Sequence, residues 1–274
     1  MSSALVKLIG FPATLIHGDP LVLDRWLWLR KRLRRLPPGS RIIDVGCGSG
    51  GFTIGASLYG HHALGLSWDE RDQGLARERA RICGAKTAEF QILDVRKMET
   101  RPDLHGQFDA AICCECIEHI LDDQKLVSGI ARTLKPGGLL WLTTPNYDYI
   151  PITPEDDGPF PPVETGWHVR RGYREARLRE LAENADLRFE GCGFISGPIS
   201  QKLKWLMLRI GRIRHELGWA AILPFRAIPP VFDPWLTELW NWPGYSITMD
   251  ARKPPMSEPA AGGSSPHRAT GPCP

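Results

Sequence analysis

Apolar and polar positions recur along this chain with two periods. From Leu21 to Leu36, apolar residues stand at helical spacing among basic ones, and Pro37-Pro38-Gly39 stops the run. That spacing predicts a helix. Short apolar runs then alternate with amphipathic stretches. The runs predict strands over Arg41–Val45, His62–Leu66, Ala88–Leu93, Phe108–Cys114 and Leu139–Thr143. Between them, helices are expected over Gly51–Tyr59, Asp69–Cys83 and Asp122–Leu134, the last closed by Lys135-Pro136-Gly137-Gly138. A Pro-, Asp- and Gly-rich loop covers Pro145 to Arg171, long enough to imply a functional role or disorder. A helix over Tyr173–Ala185, a strand over Leu187–Phe194 and a final strand over Tyr245–Ala251 complete the order. Such alternation predicts an α/β fold: a parallel sheet with helices on both faces.

Two segments stand outside it. Residues 198–243 form an aromatic and basic insertion before the last strand, and residues 254–274 form a Pro/Ala/Gly/Ser tail expected to be disordered. Half of the ten tryptophans lie after residue 200, so the chain's organisation changes there. Length, at 274 residues, allows one large domain or two small ones. A net charge of +3 is too small to specify a partner. The seven cysteines suggest no disulfide framework, and the apolar patch around Leu5 to Phe11 is too short for a signal sequence. No window reaches the length of a membrane span. A cytoplasmic setting is the expectation.

The candidate chemistry begins at Ile42-Ile43-Asp44-Val45-Gly46-Cys47-Gly48-Ser49-Gly50-Gly51. A strand feeding a glycine-rich turn that opens a helix offers backbone N–H groups to a nucleotide-like ligand. The alternation of Gly46, Gly48 and Gly50 departs from the dinucleotide fingerprint, and no Gly-Lys-Ser/Thr follows to make a P-loop. Asp44, at the strand end, can accept a hydrogen bond from the ligand or order the turn.

This turn resembles the first motif of class I S-adenosylmethionine-dependent methyltransferases. Further matches lie downstream. Leu93-Asp94-Val95 is similar to the family's adenine-contacting pattern. Cys113-Cys114-Glu115-Cys116-Ile117-Glu118-His119-Ile120 resembles the segment of the ubiquinone-biosynthesis O-methyltransferases, and also that of metal-using small-RNA 2′-O-methyltransferases. Lys135-Pro136-Gly137-Gly138 and Thr143-Thr144-Pro145-Asn146 fit both groups. The likeness covers about residues 40–195, with a closing strand near 245–251. It implies a Rossmann-like sheet of seven mostly parallel strands with a reversed last strand, and one methyltransferase domain over 1–253. It implies S-adenosylmethionine as cofactor. Asp44 would orient the amino-acid end, and Gly46, Gly48 and Gly50 would shape the turn. The family places an acid for the ribose hydroxyls at the end of the second strand. Here Ser67 stands at that place, followed by Trp68 and Asp69, so Ser67 or Asp69 is expected near the ribose and Trp68 near the adenine. Asp94 and Val95 would meet the adenine, with Asp94 alternatively capping a turn. Cys114 and Glu115 would face the cofactor.

The acid–imidazole group allows three readings. If Glu115 starts a helical turn, Glu118 and His119 fall on its face, and His168 arrives from the long loop. Glu115, Glu118, His119 and His168 can then hold a divalent metal, Mg or Mn. His119 or His168 can instead serve as a metal-free general base. Or the group only ties the segment to the loop. Cys113 and Cys116 have C-x-x-C spacing, but no second cluster accompanies them, so they read as small buried residues.

The expected reaction is methyl transfer to an oxygen of a small hydrophobic acceptor, with His119 and His168 as the catalytic candidates. Methylation of an RNA 3′ end is the alternative on the same fold, and a non-catalytic SAM-binding or interaction protein the alternative from another class. Within 198–243, Lys202 to Arg214 interleaves apolar and basic residues at helical spacing. It reads as a helix that rests peripherally on an anionic membrane, roofs the active site, or caps the sheet. Nucleic acid is disfavoured as a partner, since no RNA-binding module is added to the fold.

Overall fold

The structure is a computed structural model, and it describes residues 3–16 and 19–255. The expected tail from 256 onward lies outside the described residues. The seven strands are β1 (Arg41–Val45), β2 (His62–Ser67), β3 (Ala88–Ile92), β4 (Phe108–Cys114), β5 (Leu134–Pro145), β6 (Arg188–Ile195) and β7 (Ser246–Arg252). They form one sheet in the order β3-β2-β1-β4-β5-β7-β6. Strands β1 to β5 pair in parallel, and β7 runs antiparallel to both β5 and β6.

The helices are α1 (Ala4–Ile9), α2 (Val22–Leu33), α3 (Gly51–Leu58), α4 (Glu70–Cys83), α5 (Asp123–Thr133), α6 (Glu175–Glu183), α7 (Pro198–Gly211), α8 (His215–Ile222) and α9 (Pro229–Leu239). Each predicted helix and strand is present, with ends moved by one to a few residues. The largest difference is β5, which starts at Leu134 instead of Leu139 because Leu134 already pairs with Phe108.

The two-residue period of the strands divides the core. Ile43, Val45, Leu64, Leu66, Ala111 and Leu140 face α5 and α6, where Leu126, Ile130, Leu178 and Leu181 are buried with them. Ile42, Ala63, Ala110, Ile112 and Trp141 face the other way, against Trp26, Leu29 and Leu33 of α2. Continuous apolar strands are what a sheet covered on both faces requires. Helix α4 adds Ala76 and Ala80 against Ile54 and Phe90.

The insertion is helical, as its pattern predicts. Helix α7 buries Leu203 and Met207 against Trp219 and Ile222 of α8. Polar anchors bind it to the sheet domain. Ser196 and Ser200 donate to Asp24 Oδ2 at 2.8 and 2.7 Å, and Arg226 reaches Asp24 Oδ1 at 3.1 Å. Asp233 of α9 accepts the N–H groups of Ile199 and Ser200 at 2.7 and 3.0 Å. The apolar face of α7 is therefore used inside the fold.

Candidate active site

A cavity of about 1030 Å³ opens past the carboxyl ends of β1 and β4. Open α/β sheets place ligands at this edge. Its floor is the β1–α3 turn. Asp44, Gly46, Cys47, Gly48, Ser49 and Gly51 line it there. The three alternating glycines do different work. All have left-handed backbones, with φ of 80° at Gly46, 49° at Gly48 and 81° at Gly50. A Cβ on Gly46 would come within 2.5 Å of Cys116 Sγ, and one on Gly50 within 2.7 Å of the Phe90 ring. Those two glycines serve packing. At Gly48 a Cβ would meet nothing within 4 Å. It would project into the space a ligand needs.

Asp44 is buried, and its Oδ2 accepts from Thr53 Oγ1 at 2.6 Å. Burial pushes its carboxyl up to about 6, against the opposing effect of the Thr53 bonds. A cationic group in the cavity would favour the ionised form.

The β4 end departs from the expected helical turn. Glu115 has φ of 50°, and a short 3₁₀ turn begins only at Ile117. Glu115 and Glu118 therefore do not share one helical face. The Glu115 carboxylate is already engaged. Arg25 Nη2 donates to Oε2 at 2.7 Å, while Thr143 Oγ1 and Ser246 Oγ donate to Oε1 at 3.0 and 3.2 Å. This corrects the four-residue group. The atoms that converge belong to Glu118, His119 and His168, all within 4.8 Å of one another.

Glu118 is fully buried. Its Oε2 accepts from Thr144 at 3.0 Å, and its Oε1 has no hydrogen-bond partner among the described residues. Burial, then the charge of Glu115, hold its carboxyl far above the usual range. His119 Nε2 lies 4.0 Å from Glu118 Oε1, and the His119 and His168 rings meet edge to face with centroids 4.8 Å apart. Burial lowers His119 and pushes His168 down to about 4, the latter aided by His119 and Lys204. Both imidazoles are neutral at pH 7. A buried carboxyl with one unpartnered oxygen, facing two neutral imidazoles, is a donor set that fits a divalent cation once Glu118 gives up its proton to the binding ion. With Glu115 removed from it, one carboxylate and two imidazoles suit Mn or Zn better than Mg.

The long loop roofs the cavity with Thr153, Phe160, Trp167 and His168. Val169 N–H donates to Glu118 O at 2.9 Å, and Glu164 bridges Leu121 N–H and Arg96, each at 2.5 Å. From the insertion, Lys204 and Leu208 reach the same cavity, and Lys204 Nζ donates to Tyr245 OH at 2.9 Å.

The remaining sequence candidates sit elsewhere along the sheet edge. Ser67 ends β2 and accepts the Asp69 N–H at 3.3 Å, while Asp69 caps α4 through Asp72 N–H. Trp68 is 67% exposed. Asp94 caps the turn after β3 and pairs with Arg96 Nη2 at 2.7 Å, which holds its carboxyl below the usual range. Val95 is a core residue. None of these five, nor Gly50, lines the cavity; Cys114 does.

Sequence reasoning missed Arg25, Asp19 and Tyr245. Arg25 is 3% exposed and also pairs with Asp19 at 2.5 Å. Burial works against Asp19, but Arg25 and Lys204 outweigh it and hold the carboxyl below its ordinary range. The signal available was faint: a basic residue on the apolar side of an amphipathic helix.

Residues 23–211 match the family model described as a methyltransferase domain. A ubiquinone biosynthesis O-methyltransferase of Dechloromonas aromatica (strain RCB) is 33% identical over 131 residues, 47% of this chain and 52% of that protein. The chain thus spans about half the length of the curated relatives it matches. Among solved structures, the [4+2]-cyclase SpnF aligns over 85% of this chain and 82% of its own at a TM-score of 0.59 and 22% identity. Phosphoethanolamine N-methyltransferase 2 of Haemonchus contortus, in complex with S-adenosyl-L-methionine, aligns over 84% of this chain and 52% of its own at 0.55 and 22%. These likenesses carry the fold; a cyclase among them shows that the fold alone does not choose the reaction.

Proposed function

This chain belongs to the methyltransferase-domain family, as a class I enzyme that uses S-adenosylmethionine, and we propose that it methylates an oxygen of a small hydrophobic acceptor. The observation that carries the proposal is the continuity of one cavity. It runs from the Gly46–Gly51 turn to the Glu118, His119 and His168 group, under Phe160, Trp167 and Leu208. A ligand on the turn and an apolar acceptor under the roof would share a wall at the imidazoles. The donor supplies an already activated methyl group, so alignment of the acceptor oxygen carries much of the rate.

The residues divide the work. Asp44 receives the donor's ammonium, and the open face of Gly48 admits its amino-acid end. Ser67 or Asp69 serves the ribose, and Asp94 with Val95 the adenine, as the family resemblance implies. His119 and His168, both neutral, are free to accept the acceptor's proton. In the alternative, metal-bound arrangement the imidazoles are ligands and not bases: Glu118, His119 and His168 would hold a divalent cation, whose charge would favour the ionised acceptor oxygen. Half-buried Phe160 and Leu208 would give the acceptor an apolar wall. A reducing cytoplasm suits a chain whose seven cysteines suggest no disulfide framework.

The test is turnover with methyl-labelled donor on lipophilic phenols and on RNA oligonucleotides, with and without added Mn, Zn or Mg. Product from the phenols is expected. Product from RNA alone, or methyl transfer to nitrogen or carbon only, overturns the assignment.

A further inference from the structure

Helix α9 is assembled inside out. Ile228, Val231, Phe232, Trp235 and Leu239 stand at i, i+3, i+4, i+7 and i+11, so they form one stripe. All are exposed, Val231 at 67% and Trp235 at 60%. The inward side carries Pro229, Asp233, Leu236 and Thr237, a mixed set with a buried acid at its centre. Asp233 is buried there, accepting from Ile199 and Ser200 of α7. Gly197 makes this approach possible, since a Cβ at that position would come within 2.3 Å of Thr237 Oγ1. The stripe is continued by Leu223 and Phe225 before the helix and by Trp240 after it, all exposed. A soluble helix ordinarily turns such a face to the core, and an apolar surface of this extent marks an interaction site.

Charge identifies the partner. Lys202, Arg209, Arg212 and Arg214 are exposed in the same insertion, against the exposed acids Glu216 and Glu238. Ile213, 76% exposed, stands between the two arginines of the α7–α8 turn. An insertion that exposes apolar side chains, tryptophans and an excess of basic residues has the composition that suits an anionic bilayer interface. Two copies of this chain would instead bring like charges together. No helix among the described residues is long and apolar enough to cross a membrane, so the contact is peripheral. We infer that α9 docks on an anionic lipid surface, with the Ile228–Leu239 stripe entering the headgroup layer. The basic helix α7, the sequence-level candidate for this role, turns its apolar face inward. The contact rests on the proposed hydrophobic acceptor for its purpose: α7, which packs on α9, also gives Lys204 and Leu208 to the cavity. The physical docking stands apart from it.

Vesicle flotation of the full chain tests this without donor or acceptor present, so failure of the proposed reaction leaves the result unaffected. Phosphatidylcholine vesicles with phosphatidylglycerol should carry the protein, those without it much less, and added salt should release it. The double variant Phe232→Ser/Trp235→Ser should partition about tenfold more weakly or worse. Arg212→Glu/Arg214→Glu should lose about tenfold on anionic vesicles only. Circular dichroism and thermal melting establish that both variants fold. Val231→Ser/Leu239→Ser provides a second variant of the stripe. The inference is overturned if the wild type floats with neither vesicle, or if the stripe variants bind as tightly as wild type. It also falls if sedimentation reveals a self-associated form that Trp235→Ser dissolves while vesicles bind nothing, because the stripe then joins two copies.

Discussion

Arg25 Nη2 stands 2.7 Å from Glu115 Oε2. The pair joins α2 to the end of β4 across 90 residues of chain and takes the segment's first acid out of metal chemistry. Arg25 also holds Asp19, so one buried guanidinium satisfies two carboxylates. Removing it leaves Glu115, 18% exposed, without its counter-charge, and Asp19 with Lys204 alone at 3.9 Å. Arg25→Met should cost about 3–5 kcal/mol, read as a lower midpoint in urea unfolding. Glu115→Gln keeps hydrogen-bond acceptors for Arg25, Thr143 and Ser246 and should cost less. An Arg25→Met protein as stable as wild type removes this account of the pair.

The glycines of the turn should separate by substitution. Gly46→Ala and Gly50→Ala must displace Cys116 or Phe90 and should destabilise the fold, by about 1–3 kcal/mol or more. Gly48→Val carries about 1–2 kcal/mol of left-handed strain, but its Cβ meets no atom within 4 Å. It should fold and lose S-adenosylmethionine binding. Calorimetric titration beside a melting curve distinguishes the cases, and normal cofactor affinity in Gly48→Val would undo the assignment of the turn.

Cofactor affinity should depend on pH through Asp44. Its carboxyl titrates near 6 in the empty site, above the ordinary 3.8, so the folded chain holds a proton that the unfolded chain releases. The empty protein therefore loses stability as pH rises from about 4 through 6, by up to about 3 kcal/mol. A bound ammonium reverses the preference. Affinity should rise roughly tenfold per unit as pH climbs toward 6 and level off above it. Asp44→Asn should flatten that profile. A profile unchanged in the variant would assign the dependence to another group.

Metal binding should follow the revised group. His168→Ala and Glu118→Gln should each weaken Mn or Zn binding by at least about 10–100-fold. Glu115→Gln should leave it within a few-fold, because that acid is engaged by Arg25, Thr143 and Ser246. Metal analysis after dialysis against a chelator measures this directly. Equal losses in all three variants would restore Glu115 to the site.

His119→Ala should depress turnover while leaving cofactor affinity nearly intact. Burial lowers both histidines and brings His168 to about 4, so His168 stays neutral between pH 8 and 6 and protonation of His119 is displaced below its ordinary range. Turnover with saturating donor should not fall over that range through His168, and any fall through His119 should lie below pH 6.5. A decline with a midpoint near 6.5 that disappears in His119→Ala would contradict the buried, neutral state of that imidazole.

Much of this protein follows from local pattern. Short continuous apolar runs such as Ile42-Ile43 and Leu64-Gly65-Leu66 identify strands buried on both faces, and capping residues such as Asp69 and Asp122 mark where helices begin. The glycine turn was equally legible, since left-handed backbone favours glycine wherever it occurs. Tertiary structure alone decided how those parts are used. Only packing separates Gly48, open to the cavity, from Gly46 and Gly50, filled by Cys116 and Phe90. Only the fold brings Arg25 to Glu115, breaks the expected helical face, and sends α7 inward while α9 turns its apolar stripe to solvent. Sequence periodicity reports that a helix has an apolar face; which surface covers it depends on contacts between distant segments, and those exist only once the chain has folded.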